Sequence, residues 1–470
     1  MTDPKGFYEL PRELRDQVYD NFFTLEGGYH HDHRTNKLLT EKGEMIDLNF
    51  RLASRQIAQE TRGLALKLNA VSFSTAYDEE LRERAGMFGT ILRSIGNEQP
   101  RSFLHATNST NYVWKDTPSL CREFIASALN TIAARPGFTD IVNQSRDWIG
   151  SEGYPNPAPV PIATHRHLPW LLLSTRDVEA MRNIIAPHPV EVSIGRPSRC
   201  WDKEKYKFSA ATFAVRFLKS VSTLVRLEMR NVVLHENHVA VAWPECHGQG
   251  LIPFCQESSN LRISHRVNLW TGILPAASVP LVSISMETPQ ELVSYKFDRL
   301  RAHAVSRGDM GYGGVSGWIM EALRLPSLGM PTNAFTLVID GEETPTNSTR
   351  VFDILQRDAA RQLAYDECIG DRSKLPNQHS WLKIRDNEAY IMNGFPEALR
   401  AMHDGTSPVK CTFDIPPPHN PYVIVTQGRG WTHRDWLMNW RIMGQLQGDV
   451  HTGPPLPTWL DLRRRDMLSE

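Results

Sequence analysis

The sequence predicts an α+β protein, with an N-terminal helical unit followed by a mixed α/β region. Three observations support this fold class. Apolar side chains recur at helical spacing in residues 7–23 and again in residues 47–68, and after residue 162 amphipathic helices alternate with short apolar strands. The chain is therefore expected to begin as a pair of packed helices and to continue as helices packed on a sheet.

The first predicted helix covers residues 7–23. Pro11 suits its first position, because the missing N–H of proline is not needed there. Glu13 places a negative charge in the first turn, where it meets the positive end of the helix dipole. One face carries the apolar residues that recur every four positions, Leu14, Val18 and Phe22.

A second helix is predicted for residues 47–68, with Asp47 as its N-cap. Its apolar stripe consists of Ile57, Thr61, Leu64 and Leu68. Residues 70–75 alternate between larger and smaller side chains, which predicts a short half-buried strand. The two helices are expected to pack on each other.

The first helix also resembles a known family. The residues that match are Leu10, Pro11, Glu13, Leu14, Val18 and Phe22. They resemble the opening Leu-Pro helix of F-box domains, and residues 52–57 resemble the later Val-Ser-Arg segment of that family. The resemblance is closest to the F-box-like domains at the start of many fungal proteins. It implies that Leu10, Pro11, Leu14, Val18 and Phe22 form or support a surface that docks on the small adaptor of a cullin-type ubiquitin ligase.

The resemblance covers residues 7–75 and implies that the remainder of the chain recruits a protein substrate. The span between the two matching segments is longer than in the family and holds a polar loop at residues 27–43. Ile57 stands where the family has an aromatic residue. Further along, residues 244–255 resemble fungal proteins of unknown function, and that similarity implies no activity.

Composition bounds the class of protein. The chain has 470 residues, which suggests about three domains. A formal net charge of −1 gives no electrostatic basis for binding nucleic acid or an anionic membrane. The chain has no run of roughly 18 apolar residues and no apolar signal core at its start. Because the six cysteines are too scattered for a secreted disulfide scaffold, we expect an intracellular protein, cytoplasmic or nuclear or both, with reduced thiols.

The predicted organisation has five regions. They are an F-box-like unit at 7–75, a helical region at 76–150, an α/β region at 162–280, a mixed α/β region at 281–450 and a tail at 451–470. Alternating prolines in residues 151–161 indicate a linker or a surface loop between the second and third regions. The tail carries no packing signal at residues 453–457, and its run of arginines at 463–465 is expected to be solvated.

Two helix-then-strand units follow one another in residues 162–280. Their strands are predicted at 224–234 and 261–270, with Leu224 and Leu261 in like positions. This spacing is compatible with a leucine-rich-repeat-like stack, although two units are fewer than the three or so that a repeat architecture needs. An ordinary α/β sheet is the other interpretation. Further on, residues 345–369 predict a long helix, and the tryptophans of residues 432–443 are expected to be core anchors.

Two clusters contain metal-ligating residue types. The first is His30, His31, Asp32 and His33, which we place on a surface loop. The second is His235, His238, Cys246, His247 and Cys255. Adjacent side chains of an extended chain point to opposite sides, and the second cluster has no CxxC pair and poor ligand spacing. We therefore expect no metal and no cofactor at either cluster.

The sequence has no motif for catalysis: no GxSxG elbow, no GxxxxGK[ST] phosphate loop and no GxGxxG in the glycine-rich residues 308–317. We therefore predict a protein-binding module without catalytic residues, whose F-box-like start makes it a candidate substrate-recruiting subunit of a cullin-type ubiquitin ligase. Its partners would be the ligase adaptor and a protein substrate. Two alternatives remain, a non-enzymatic scaffold and a metal-dependent enzyme that uses the cluster at residues 235–255.

Overall fold

The structure is a computed structural model of the chain. It describes residues 6–107, 116–134, 136–138, 140, 166–185, 204–275, 300–301, 314–370, 391–446, 449–450, 452 and 454–467. Helices and a seven-stranded sheet make up this part of the chain, so the predicted α+β class is confirmed. None of the helices within the described residues is both long enough and apolar enough to cross a membrane.

Nine strands are present in the described ranges. They are β1 (Tyr29–Asp32), β2 (Lys37–Thr40), β3 (Val71–Ser74), β4 (Asn231–Glu236), β5 (Arg262–Asn268), β6 (Leu300–Arg301), β7 (Phe335–Asp340), β8 (Val409–Cys411) and β9 (Asp449–Val450). The main sheet has the order β2-β1-β3-β4-β5-β7-β8, and β6 pairs with β9. Only β1 and β2 are antiparallel neighbours in the main sheet, and the other pairs are parallel.

Helices connect and flank these strands. The α-helices are α1 (Arg12–Phe23), α2 (Arg55–Glu60), α3 (Leu64–Leu68), α4 (Glu79–Thr107), α5 (Pro118–Ile132), α6 (Thr175–Ile185), α7 (Ala210–Ser220), α8 (Thr223–Arg226), α9 (Ile252–Glu257), α10 (Val315–Arg324), α11 (Pro345–Ile369), α12 (Phe395–His403), α13 (Tyr422–Gly428), α14 (His433–Leu446) and α15 (Trp459–Arg465). Short 3-10 helices lie at Phe7–Glu9, Asn49–Leu52, Pro244–Leu251 and Leu325–Leu328, and a π-helix lies at Leu269–Ile273.

The two faces of the main sheet differ in burial. Alternate side chains of its central strands are buried, namely Val232, Leu234, Ile263, Val267, Leu337 and Ile339. Helices α7 and α10 pack against this part of the sheet. Side chains on the opposite face are half-buried, namely Val233, His235, Ser264, Arg266, Thr336 and Val338. One face therefore belongs to the core, and we call the other the open face.

The N-terminal region differs from the prediction in two ways. The second helix is broken into a 3-10 turn, α2 and α3, because Ser54 rather than Asp47 caps α2 and Gly63 adopts a left-handed φ of 71° that ends its helical path. The stretch at 27–43 is the hairpin of β1 and β2 rather than a loop. The predicted strand is confirmed as β3, and it pairs with β1 and β4 inside the main sheet.

The helix-then-strand units of residues 162–280 are also altered. Residues Thr223–Arg226 form a helical turn, so the first strand begins only at Asn231. Leu224 is 63% exposed whereas the side chain of Leu261 is buried, so the expected equivalence of these two leucines was wrong. A helical turn leaves Leu224 on the surface, while Leu261 lies next to the start of β5 in the core.

Several predictions for the C-terminal half hold. The long helix has the expected bounds, Pro345–Ile369, and Trp436 and Trp440 are both buried in the core. Although residues 453–457 carry no packing signal in the sequence, Leu456 is buried in the core, as is Trp459 just after them. This part of the chain has few apolar residues, but the side chains of Leu456 and Trp459 are large enough to attach it to the core.

Some predictions fall outside the described residues: those for the stretch at 151–161, for the first part of the glycine-rich segment and for Cys200. The division of the chain into five regions stays a prediction. Strands of the main sheet come from three of those regions, 7–75, 162–280 and 281–450. The cysteines within the described ranges are not disulfide-bonded.

Candidate functional site

Helix α1 has two apolar faces with different surroundings. One face is buried through Tyr19 and Phe23, which form a small core with Ile57 of α2. Partly buried residues surround this core, namely Phe7, Phe50, Leu64, Ala65 and Leu68. The core is separate from the large cluster that packs on the main sheet. Helix α1 is thus attached to its own neighbours in sequence, α2 and α3.

An ion pair fixes the orientation of α1. The guanidinium of Arg15 donates to both carboxylate oxygens of Glu60, at 2.8 and 3.1 Å, and the hydroxyl of Tyr19 donates to the same carboxylate at 2.6 Å. Arg15, followed by Tyr19, lowers the pKa of Glu60 to about 2. Burial, reinforced by Glu60, raises the pKa of Tyr19 to about 12. Arg15 also donates to the carbonyl of Leu10 at 2.7 Å, which holds the chain entering the helix.

A neighbouring face of α1, about 100° around the helix from the buried one, is exposed to solvent. Leu14 is 44% exposed, and Val18 and Phe22 are each 41% exposed. We call these three residues the α1 stripe. Pro11 is exposed and precedes the first helical residue, while Leu10 is half-buried. Further exposed apolar side chains come from the neighbouring sequence, namely Tyr8, Met45, Leu48 and Leu52. Exposed apolar side chains concentrated in one region are typical of a surface that contacts another protein.

The sequence identified the α1 stripe but not the residues that fix it. Arg15, Tyr19 and Phe23 also recur every four positions, and this second pattern was overlooked because two of its members have polar groups. Its partner Glu60 lies 45 residues from Arg15. A carboxylate at such a separation cannot be matched to its arginine by helical periodicity alone.

The first histidine cluster lies on strand β1 and the residue that follows it, not on a loop. The ring of His31 packs 4.8 Å from the ring of Phe73, and its Nε2 lies 2.9 Å from Oδ1 of Asn36. His33 turns instead toward Asp78, with Nε2 and Oδ2 separated by 3.3 Å. Because neighbouring side chains of a strand point to opposite faces, the four residues do not converge.

The second cluster is distributed over several environments. His235 is on the open face of the sheet, His238 follows β4 on the surface and Cys255 is buried on α9. The sulfur of Cys246 accepts a hydrogen bond from Arg122 at 3.6 Å. In the part of the chain that the structure describes, no group of three His, Cys, Asp or Glu residues is placed to hold a metal ion.

His247 and Ser209 form a buried pair that superficially resembles a catalytic dyad. His247 Nε2 lies 2.6 Å from the carbonyl of Ala242, and a carbonyl can only accept. The neutral ring therefore receives a hydrogen bond from the Ser209 hydroxyl at Nδ1, over 2.6 Å. Ser209 is fully buried and also accepts from the backbone N–H of Thr212 as the N-cap of α7. A substrate has no access to this hydroxyl, so the pair is structural.

The buried His247 predicts a pH-dependent stability. Burial lowers the pKa of His247 to about 4 from an ordinary value of 6.5. Between these pH values the unfolded chain binds a proton that the folded chain does not, so the free energy of unfolding falls as the pH falls through this window. The full shift corresponds to about 3 kcal/mol. Measured by urea unfolding, the free energy of unfolding of the wild type should fall by about 2 kcal/mol between about pH 7.5 and pH 5. This contribution should be absent in His247→Gln.

His419→Gln provides the control for this measurement. His419 is on the surface, with its Nε2 2.8 Å from a carboxylate oxygen of Asp353, so His419→Gln is the same substitution at an exposed site. His31 and His235 also have pKa values lowered by burial, so only the difference between wild type and His247→Gln measures His247. Equal pH profiles for those two proteins would show that His247 titrates normally in the folded chain.

Comparison of the chain with protein-family models, with curated proteins and with solved structures finds no match in any of the three.

Proposed function

We propose that this chain is a protein-binding module whose α1 stripe docks on the small adaptor of a cullin-type ubiquitin ligase, in the manner of an F-box-like domain. The observation that carries the proposal is the exposure of Leu14, Val18 and Phe22 on a helix whose other face is already buried. A helix that served only the core of this chain would bury its apolar residues on one side and carry polar ones on the other.

The energetics are compatible with docking. Burying an exposed apolar side chain of this size against a partner is worth roughly 1.5–3 kcal/mol for complete burial. A few such anchors at the centre of an interface dominate its affinity. The Arg15–Glu60 pair holds α1 in one orientation before the partner arrives, so little ordering of the helix is needed on binding.

Under the same proposal, the larger part of the chain binds the protein substrate that is recruited to the ligase. The parallel strands β1, β3, β4, β5, β7 and β8 follow one another in chain order across the sheet. This order resembles leucine-rich-repeat-like architectures, in which parallel strands line one binding surface. The half-buried side chains of the open face would then contact the substrate protein. The proposal implies an intracellular protein, in the cytoplasm or the nucleus or both.

The test is a pull-down of the purified adaptor with the full chain, followed by a titration. Wild type should retain the adaptor at micromolar concentration. The double variant Leu14→Asp with Val18→Asp should weaken binding by about a hundredfold, because charges replace two apolar anchors. Its melting temperature should stay within a few degrees of wild type, since both side chains are exposed. Leu10→Ala with Pro11→Ala should also fold normally and bind the adaptor weakly.

Helix α14 supplies a matched control. Met438 and Ile442 are an exposed apolar pair with the same spacing, 48% and 46% exposed. Met438→Asp with Ile442→Asp should retain the adaptor as wild type does. The proposal is abandoned if wild type never retains the adaptor, or if the α14 variant loses it as completely as the α1 variant.

The metal-dependent enzyme is the alternative that the geometry favours least. The environments of His235, Cys246, His247 and Cys255 differ, and both ring nitrogens of His247 are engaged by protein groups. Metal analysis of the purified chain distinguishes this alternative from the two non-enzymatic ones. The scaffold alternative predicts a wild-type chain that folds normally and does not bind the adaptor.

A further inference from the structure

A cavity of about 410 Å³ lies between α4, α5 and the segments at 166–171 and 243–249. Its walls are largely apolar, with contributions from Leu92, Ile95, Ala126, Leu168, Trp170 and Trp243. Concave sites of roughly 300–1,000 Å³ with apolar walls and a few placed polar groups are the usual form of small-molecule sites. The cavity does not involve the α1 stripe, so it is a separate feature of the chain.

Glycines allow the two indole rings of the wall to pack closely. A Cβ atom at Gly250 would clash with the ring of Trp170, and one at Gly96 would lie 3.0 Å from Cζ2 of Trp243. The backbone of Trp243 is left-handed, with φ of 59°, which is costly for a non-glycine residue. His247 supports this conformation by donating to the carbonyl of Ala242. Both aromatic walls are therefore held in position before any ligand binds.

Arg122 is a charged residue of the cavity wall. Its guanidinium carbon lies 4.1 Å from the centroid of the Trp243 ring, and one N–H group points to the sulfur of Cys246 at 3.6 Å. Sulfur is a weak acceptor, and a guanidinium has five N–H donors. Within the described residues, no carboxylate lies within hydrogen-bond distance of Arg122. Most of its donors are therefore available to a ligand.

Two of the nearby carboxylates have partners of their own, and a third, Glu245, is buried with its pKa raised by that burial to about 7. Glu321 accepts hydrogen bonds from the backbone N–H and the hydroxyl of Ser119, each at 2.6 Å. Glu123 is paired with Arg324, with Nη2 and Oε2 separated by 2.6 Å. A second cation, Arg166, also lines the cavity. The cavity thus combines a largely apolar interior with a guanidinium, that of Arg122, to which no carboxylate of the described residues is hydrogen-bonded.

We propose that this cavity binds a small aromatic carboxylate, with its carboxylate on Arg122 and its ring against Trp170 and Trp243. The fork of N–H groups on a guanidinium matches the two oxygens of a carboxylate. A neutral amide has only one oxygen and no charge, so it cannot make this bidentate ion pair. The apolar walls suit an aromatic ring. A second charge on the ligand would be buried against these walls without a partner, which is costly. A dianion such as a phosphate monoester would also face the carboxylate of Glu123, which lines the cavity.

The test uses the purified full chain and two probes of equal shape, 1-naphthoate and 1-naphthamide, in isothermal titration calorimetry. One equivalent of naphthoate should bind, at least about tenfold more tightly than the neutral amide. Arg122→Gln should remove this preference by weakening naphthoate about tenfold while leaving naphthamide unchanged. Arg122→Lys, which keeps the charge but not the fork, should fall between the two. Arg230→Gln, at an arginine that donates to the carbonyl of Leu227, should bind as wild type.

Three results would overturn the inference: equal affinity of the wild type for the two probes, no binding of naphthoate at about 1 mM, or a naphthoate affinity that Arg122→Gln leaves unchanged. If Arg122→Gln fails to fold, Leu168→Trp replaces it. Leu168 lines the cavity and is 48% exposed, so a larger ring there should narrow the cavity without disturbing the core. Naphthoate affinity that Leu168→Trp leaves unchanged would then contradict the site. The assay needs no ligase adaptor, so its outcome is independent of the proposed function.

Discussion

Glu236→Ala is expected to destabilise the chain by about 5 kcal/mol, a loss among the largest known for single substitutions. The carboxylate is almost completely buried at the end of β4. It accepts from the backbone N–H groups of Ala210 and Ala211 at 3.0 and 3.2 Å, and from the hydroxyl of Thr75 at 2.6 Å. His265 Nε2 lies 3.2 Å from Oε1 of Glu236, the oxygen that also accepts from Ala211. One side chain therefore connects β3, β4, β5 and the N-terminus of α7.

The size of the loss follows from what the substitution leaves behind. Each buried donor that loses its acceptor costs about 1–3 kcal/mol, and four groups lose theirs. The two backbone N–H groups also lose a negative charge at the positive end of a helix. Urea unfolding monitored by circular dichroism measures the change. Glu236→Gln keeps acceptor oxygen but no charge, and it should be destabilised by a smaller amount.

The exposed Glu342 supplies the control, and Glu342→Ala should change stability by less than about 0.5 kcal/mol. Burial raises the pKa of Glu236, but hydrogen bonds from His265, Thr75 and the backbone outweigh it and leave the pKa below its ordinary value of 4.5. The stabilisation from Glu236 is therefore present above that value and is lost as the pH falls through the folded pKa. A Glu236→Ala protein as stable as Glu342→Ala would refute this account of the network.

Trp459→Ala is expected to cost about 4 kcal/mol, although it lies near the end of the chain. Its ring stacks on Trp270 with centroids 6.0 Å apart, and its Nε1 donates to the carbonyl of Val450 at 2.9 Å. Trp270 is itself buried and donates to the hydroxyl of Ser348. Removal of the Trp459 ring would leave a cavity beside this central tryptophan, which the surrounding structure fills only in part.

Denaturant unfolding of the full chain tests the prediction for Trp459→Ala. Met438→Ala is the control for the loss of a large exposed side chain. The control should change the midpoint little. A Trp459→Ala protein with the wild-type midpoint would mean that the C-terminal segment is detached from the core. The same conclusion would follow if Trp459→Ala only made the last residues more sensitive to protease and left the main unfolding transition unchanged.

Local sequence signals were sufficient to predict an element whose conformation depends mainly on its own residues. The bounds of α11 agree with the predicted residues 345–369, because the proline near its start and the run of helix-forming residues are local properties. The burial of Trp436 and Trp440 followed from their spacing and size. The break between α2 and α3 was missed, since the left-handed conformation of Gly63 depends on how the chain turns there.

The sequence by itself determined that α1 is a helix and that Leu14, Val18 and Phe22 share one of its faces. Only the tertiary structure decided which face meets solvent. Both faces carry large apolar side chains, and burial went to Tyr19 and Phe23 because Ile57 and the Glu60 carboxylate are positioned to receive that side of the helix. Partners of this kind, like the Arg122 and Trp243 pair of the cavity, are distant in sequence and are brought together only by packing, which periodicity along a single helix does not encode.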